Sequence, residues 1–176
     1  MQPARVGQDE NRLVDSIDMI KEDDMKIAVG LGSPKMCNLA TIVSEYVKAK
    51  GHELTMCGTL AGNPSDYISA ALEVAQIVHE GVCEMGILFC NTGTGVTIIA
   101  NKVAGVRAAL CPDAFSAKIA RQANNANVLV LGIRLMGEKV CCEIFDEWMS
   151  SDPANATDAW KAFHQRTDEI ELRYRA

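Results

Sequence analysis

Short apolar runs alternate with stretches of helical periodicity from residue 25 onward. The runs lie at 26–31, 53–57, 85–90, 106–111 and 128–131. Largely apolar strands of this kind are buried on both faces, which requires helices on both sides of a parallel sheet. The sequence therefore predicts an α/β fold: a three-layer α/β/α sandwich around a five-stranded parallel, Rossmann-like sheet.

The predicted helices follow the strands in turn. They are expected at 36–50, from Ser65 to about 78, and at 96–102, 112–124, 136–150 and 156–173. Ser65 is expected to cap the second helix, because a hydroxyl can accept a hydrogen bond from a free backbone N–H group. His52 follows Gly51 just before a strand and is expected to be a solvated turn residue.

The chain start is predicted to be an extension of the fold. Leu13, Ile17 and Ile20 fall at helical spacing, which indicates a short amphipathic helix over 10–22 within an extension spanning 1–24. Residues 25–176 are long enough for a single domain with its own core. The charges throughout 1–24 argue against a signal peptide, and no segment is apolar enough to span a membrane. A cytoplasmic location is expected.

Composition argues against several kinds of partner. The net charge of −6 and the pI near 5.1 disfavour a nucleic-acid binder, which normally carries a basic face. The seven cysteines form no C-x-x-C pair and no Cys/His cluster of zinc spacing, so free thiols and no metal are expected. The turn at 30–35 lacks the third glycine of a dinucleotide fingerprint. Binding of NAD is therefore not expected.

The most informative motif surrounds Cys90. This residue ends the apolar run 86–89 and precedes the loop Asn91-Thr92-Gly93-Thr94-Gly95. A thiol at the carboxyl end of a parallel strand, beside the start of a helix, is well placed to act on an oxygen-rich ligand. An inert buried cysteine is the alternative that this local pattern leaves open. Ser33 and Asp113 also follow strand ends, so they are expected on the same rim.

A longer match then points to a known family. The stretches are Gly86-Ile-Leu-Phe-Cys-Asn-Thr-Gly-Thr-Gly-Val96, Ala100-Asn-Lys-Val-Ala-Gly-Val-Arg-Ala-Ala-Leu-Cys111, Phe115-Ser-Ala-Lys-Ile-Ala-Arg-Gln-Ala-Asn-Asn-Ala-Asn-Val-Leu129 and Gly132-Ile-Arg134. On these residues, 25–150 resemble the ribose-5-phosphate isomerase B / galactose-6-phosphate isomerase family. The resemblance implies interconversion of an aldose and a ketose phosphate through a cis-enediolate, with no metal or organic cofactor.

The resemblance also implies roles for single residues. Cys90 matches the proton-shuttling base and Thr92 the hydroxyl that assists ring opening. The backbone amides of Asn91, Gly93, Thr94 and Gly95 match an anion hole. Tyr67 and Asn124 match positions that contact substrate, and Arg134 matches a position that binds phosphate. Ser33 on the same rim, and His164 and Arg166 in a C-terminal motif that departs from the family's, are also expected to bind substrate. Sites of the family are completed by a neighbouring subunit, so a homodimer or a dimer of dimers is expected.

The chain departs from the family pattern at five positions, one of which is Asn91, where the loop of the family has its first glycine. Gly32-Ser33 stands where the family typically has Asp-His, Ala123 replaces the ring-opening His, and Phe163 replaces a phosphate-binding Arg. The substrate is expected to be ribose 5-phosphate or a related C4 to C6 sugar phosphate, and a shorter, open-chain sugar would not need the missing His. Two alternatives stay open: the catalytic half of a hetero-oligomeric isomerase, or a non-enzymatic ligand-binding relative.

Overall fold

The computed structural model describes residues 25–174 and contains one parallel sheet. Its strands are β1 Lys26–Leu31, β2 Glu53–Gly58, β3 Met85–Cys90, β4 Ala108–Leu110 and β5 Val128–Gly132. They are ordered β2-β1-β3-β5-β4, with every neighbouring pair parallel. The predicted five-stranded Rossmann-like sheet is thereby confirmed. The helix predicted over 10–22 lies outside the described residues.

Helices cover both faces of this sheet. They are α1 Cys37–Ala49, α2 Tyr67–His79, α3 Thr94–Ala100, α4 Ala114–Gln122, α5 Glu138–Ser150 and α6 Asp158–Tyr174. Alternate strand residues point to opposite faces. Val29 and Leu129 pack in a core with α1, α4 and α5, whereas Ala28 and Val128 pack with α2 and α3. The predicted three layers follow from this division.

Several element boundaries differ from the sequence-based prediction. The strand predicted over 106–111 is shorter, because the Arg107 amide donates to the side-chain oxygen of Asn127 (2.8 Å) and not to a strand carbonyl. Asp66, and not Ser65, caps α2 by accepting a hydrogen bond from the Ser69 amide (2.7 Å). The prediction of Ser65 as cap is wrong by one residue, since a carboxylate is an equally good cap.

His52 is not a solvated turn residue. Its side chain is only 4% exposed, and its ring lies edge-on to Phe145 with the centroids 5.7 Å apart. The Met25 amide donates to its Nδ1 over 3.5 Å, a long contact. The short turn before β2 folds this side chain inward, so a residue that looks solvated in sequence becomes part of the core.

The order of the strands marks where a ligand can bind. The chain runs from β1 outward to β2 and then returns to place β3 on the other side of β1. In open α/β sheets, such a reversal leaves a crevice at the carboxyl ends of the two diverging strands. Here those ends are Leu31 and Cys90.

Candidate active site

A cavity of about 650 Å³ lies at this reversal of strand order. Ser33 contributes from the loop after β1, and Tyr67 from the first residue of α2. Cys90 and Asn91 contribute from the end of β3, and Arg134 from the loop after β5. The cavity therefore brings together five of the residues that the sequence selected, from four separate parts of the chain.

Cys90 is held rigidly by its strand while its side chain reaches the cavity. It is the last residue of β3, pairs with Gly132 of β5, and accepts a hydrogen bond at its carbonyl from the Ile133 amide (2.9 Å). Its side chain is half-buried. A half-buried thiol on a fixed backbone, open to a cavity, meets the positional requirement for a nucleophile or base.

Three other thiols are excluded from this role by burial. Desolvation raises the pKa of the Cys57 and Cys111 thiols to about 12 and that of Cys141 to about 11. All three belong to the packed core and do not line the cavity. They therefore remain protonated at neutral pH, because burial disfavours the charged thiolate.

The loop after Cys90 turns sharply into α3. Gly93 adopts φ 86°, a left-handed conformation that glycine accommodates without strain, and precedes the first residue of the helix. Thr92 is exposed, and its hydroxyl lies 3.5 Å from that of Thr94, which is a weak contact. Residues 91–95 thus place successive amides beside the end of β3, where an anion hole was predicted.

Tyr67 packs over this loop. A Cβ added at Gly95 would stand 2.9 Å from Cε2 of the Tyr67 ring, so the ring lies directly on the glycine. Nearly half of the Tyr67 side chain stays exposed. The ring therefore forms one wall of the cavity while its hydroxyl remains free to face a ligand.

Gly32 sits against the start of α2. A Cβ at this position would lie 2.3 Å from the carbonyl carbon and oxygen of Asp66 and from the amide nitrogen of Tyr67. These are backbone atoms, which cannot rotate away. The helix start therefore occupies the space that a side chain at position 32 requires, and an aspartate cannot fit there in this arrangement.

A further group of predicted residues lies away from this cavity. Asn124 lines a second cavity of about 320 Å³ with Ala123 and Phe163. In the tautomer that carries its proton on Nε2, His164 donates to the carbonyls of Gln122 (3.1 Å) and Ala123 (3.0 Å). Arg166 is exposed on α6 and lines neither cavity. Within one chain, the structure does not bring Asn124, His164 and Arg166 to Cys90.

The structure adds two polar cavity residues, Lys35 and Asn38, that the sequence analysis missed. Lys35 lines the Cys90 cavity from the 3₁₀ turn Pro34–Met36, and Asn38 does so from the first turn of α1. Their place in the sequence could have indicated them, because both residues follow the end of β1 at Leu31, where the rim of the site was expected. Within residues 25–174, no three His, Cys, Asp or Glu side chains cluster as a metal site would require, and no helix is long and apolar enough to cross a membrane.

Comparison with known proteins identifies the family of this chain. Residues 28–167 match the family described as Ribose/Galactose Isomerase. The chain is 36% identical over 129 residues to a D-erythrulose-4-phosphate isomerase from Pectobacterium atrosepticum, covering 73% of this chain and 84% of that protein. It is 38% identical over 126 residues to ribose-5-phosphate isomerase B from Escherichia coli, covering 72% of this chain and 84% of that protein.

A solved structure extends the likeness to three dimensions. Ribose-5-phosphate isomerase B from Clostridium thermocellum superposes with a TM-score of 0.75 at 35% identity, over 86% of this chain and 99% of that one. The superposition spans most of both chains, and the family match over residues 28–167 includes the strand that ends in Cys90. The chain therefore belongs to the ribose/galactose isomerase family and is a sugar-phosphate isomerase.

Proposed function

We propose that this protein interconverts the aldose and ketose forms of a short, open-chain sugar phosphate, with Cys90 as the base. The observation that carries the proposal is the placement of Cys90, which is half-buried at the carboxyl end of β3 and open to the cavity at the strand reversal. General bases act on protons within hydrogen-bond reach, so a fixed position beside a ligand cavity is the first requirement.

In the proposed mechanism, the Cys90 thiolate removes the proton from C2 of the aldose. The electrons of that C–H bond form the C1=C2 double bond, and the carbonyl oxygen becomes the oxyanion of a cis-enediolate. The same thiol then returns the proton to C1, while the proton on O2 moves to O1, which leaves a ketone at C2. Amides of the 91–95 loop are proposed to stabilise the oxyanion, and the Thr92 hydroxyl to relay the proton between oxygens.

The proposed substrate size follows from the departures. Ala123 offers no acid to open a sugar ring, and its carbonyl is bonded to His164. A tetrose 4-phosphate cannot close a furanose ring, because its O4 is esterified, so it needs no ring-opening acid. A relative named D-erythrulose-4-phosphate isomerase supports a four-carbon substrate. Ribose 5-phosphate is the natural competitor, because the relatives from Escherichia coli and Clostridium thermocellum carry its name.

We further propose that two copies of the chain complete the site. His164, Asp168 and Glu171 lie on one face of α6 and contact the backbone or side chains of residues 105–123. The face carrying Phe163, Ile170 and Tyr174 stays open, with side chains 58%, 52% and 77% exposed. We propose that a second copy covers this face and that Asn124, His164 and Arg166 then serve the partner's Cys90 cavity.

The decisive experiment is a panel of C4 to C6 aldose phosphates assayed with the purified chain. We expect the highest kcat/KM for erythrose 4-phosphate, and a product that carries deuterium on carbon when the reaction runs in D₂O. Cys90→Ser should lower kcat by at least about 100-fold, since a hydroxyl is a far weaker acid than a thiol and general base catalysis contributes factors of this order. Cys142→Ser, a half-buried thiol outside the cavity, is the matched control.

Three outcomes would count against the proposal. Efficient turnover of ribose 5-phosphate in preference to tetrose phosphates would refute the proposed four-carbon substrate. If Cys90→Ser retains more than a few percent of the wild-type activity, Cys90 is not the base. Activity only after addition of a second, unlike subunit would support the hetero-oligomeric alternative.

A further inference from the structure

The Cys90 cavity carries charge of one sign only. The charged side chains that line it are those of Lys35 and Arg134, and no carboxylate lines it. Across residues 25–174, the side-chain ion pairs are made by other cations, at Lys50, Arg107, Lys118 and Lys139. A concave site with unopposed positive charge attracts an anionic ligand.

The sheet order places these two cations on either side of the thiol. Lys35 follows β1, Arg134 follows β5, and β3 with Cys90 runs between those strands. The Arg134 amide donates to the carbonyl of Asn91 (3.1 Å), which fixes the loop carrying the guanidinium. The turn carrying Lys35 is closed by a hydrogen bond from the Met36 amide to the Ser33 carbonyl (3.2 Å) and begins with Pro34. Both backbones are therefore anchored at the rim.

Lys35 has the chemistry for a terminal phosphate. An ammonium group on a flexible four-carbon stem donates three hydrogen bonds and binds phosphate as a point charge. Its side chain is exposed and lines the cavity. By contrast, Phe163, where the family pattern has an arginine, faces the second cavity and offers no charge.

We propose that Lys35 binds the phosphate of the substrate together with Arg134, in the subunit that supplies Cys90. This inference rests on the proposed function and deepens it, because it assigns the choice of a phosphorylated over a neutral sugar to one side chain. Lys35 is then a specificity-determining residue, whose removal weakens substrate binding without removing the proton transfer at Cys90.

The test compares a phosphorylated with a neutral tetrose. Lys35→Met keeps most of the stem and removes the charge, Lys35→Arg keeps the charge, and Lys48→Met removes an exposed cation of α1 outside the cavity. For erythrose 4-phosphate, we expect Lys35→Met to lower kcat/KM by about 10- to 100-fold, mainly through KM, which is the range of one charge-assisted hydrogen bond. Turnover of 4-O-methylerythrose, a neutral tetrose whose blocked O4 also prevents ring closure, should be unchanged. Lys35→Arg should recover most of the loss, and Lys48→Met should match the wild type.

Binding of inorganic phosphate, measured by calorimetry at low ionic strength, separates this inference from the proposed function. Phosphate binding that weakens at least about 10-fold in Lys35→Met, but not in Lys48→Met, supports the role of Lys35 even if no sugar is isomerised. Wild-type turnover of erythrose 4-phosphate with unchanged kcat/KM in Lys35→Met overturns the role and leaves the isomerase standing. Equal losses for both tetroses also overturn it, because a general disturbance of the cavity would then explain the effect.

Discussion

Replacing Gly32 by alanine tests whether the start of α2 excludes a side chain after β1. The added Cβ would lie 2.3 Å from backbone atoms of Asp66 and Tyr67, so the contact must open by roughly 1 Å to reach the 3.4 Å of ordinary packing. Forced overpacking of this kind costs about 1–3 kcal/mol. Alanine also restricts the unfolded chain, which returns about 0.4–1 kcal/mol. We therefore expect a net loss of about 1–2 kcal/mol in the free energy of unfolding.

The assay is urea unfolding followed by far-ultraviolet circular dichroism at a fixed protein concentration. With a slope of about 2 kcal/mol per molar, the midpoint should fall by about 0.5–1 M. Gly137→Ser is the matched control, because a Cβ there meets nothing within 4 Å and its φ of −92° suits any residue. This control should leave the midpoint unchanged or raise it, since serine can cap α5.

Activity should fall along with stability. Moving the start of α2 displaces Tyr67 from Gly95 and shifts a wall of the Cys90 cavity. Misplacement by about 1 Å can lower turnover by up to about 100-fold. If Gly32→Ala unfolds at the wild-type urea concentration with the wild-type slope, the steric account is wrong, and the absence of the family's aspartate at this position needs another cause.

Two further predictions concern helix capping and assembly. The hydrogen bond from the Ser69 amide holds the pKa of the Asp66 carboxyl below its usual range. The ionised cap therefore stabilises the fold fully above about pH 4, near the unfolded pKa, and this stabilisation is lost as the pH falls through the folded pKa. Asp66→Asn keeps a hydrogen-bond acceptor that does not titrate. When the free energy of unfolding is measured from pH 6 to pH 2, the stability of the wild type should therefore fall relative to that of this variant. Parallel plots of stability against pH for the two proteins would contradict the capping role. For assembly, light scattering at micromolar concentration should give a dimer or tetramer, and Ile170→Asp, which places a charge on the open face of α6, should shift it toward monomer. A monomeric wild type would refute the assembly proposal and any role of His164 in the partner's site.

The fold was predictable because its strands are apolar runs with clear ends. Residues 85–90 form β3 as predicted, and their burial on both faces is what makes the run continuously apolar. The edge strand β4 was harder to predict. β4 pairs with β5 alone, and the side chain of Asn127 takes the Arg107 amide out of the ladder, which no hydrophobic pattern reveals.

The site was predictable where its residues follow strand ends. Ser33, Cys90 and Arg134 meet because carboxyl ends of neighbouring parallel strands share one edge of the sheet. The place of α6 could not be inferred in this way. Its contacts through His164 and Asp168 are single polar bonds to residues more than 40 positions earlier, and such pairings leave no periodic signal.

The division between the two cavities indicates which functions the departures affect. Cys90, which is proposed for proton transfer, and Asn91, the first residue of the loop proposed to stabilise the oxyanion, line the first cavity together with Lys35 and Arg134. Ala123 and Phe163, which replace the ring-opening and phosphate-binding residues of the family pattern, line the second. Gly32, Ser33 and Asn91, which also depart from the family pattern, line the first cavity, but Cys90 is retained there. On the proposed mechanism, the changes at Ala123 and Phe163 remove what a cyclic, longer sugar needs and leave the proton-transfer group in place. A substrate that is already open and is held by the cations beside Cys90 fits these changes, and the retention of Cys90 with Lys35 and Arg134 in the first cavity argues against a complete loss of catalysis.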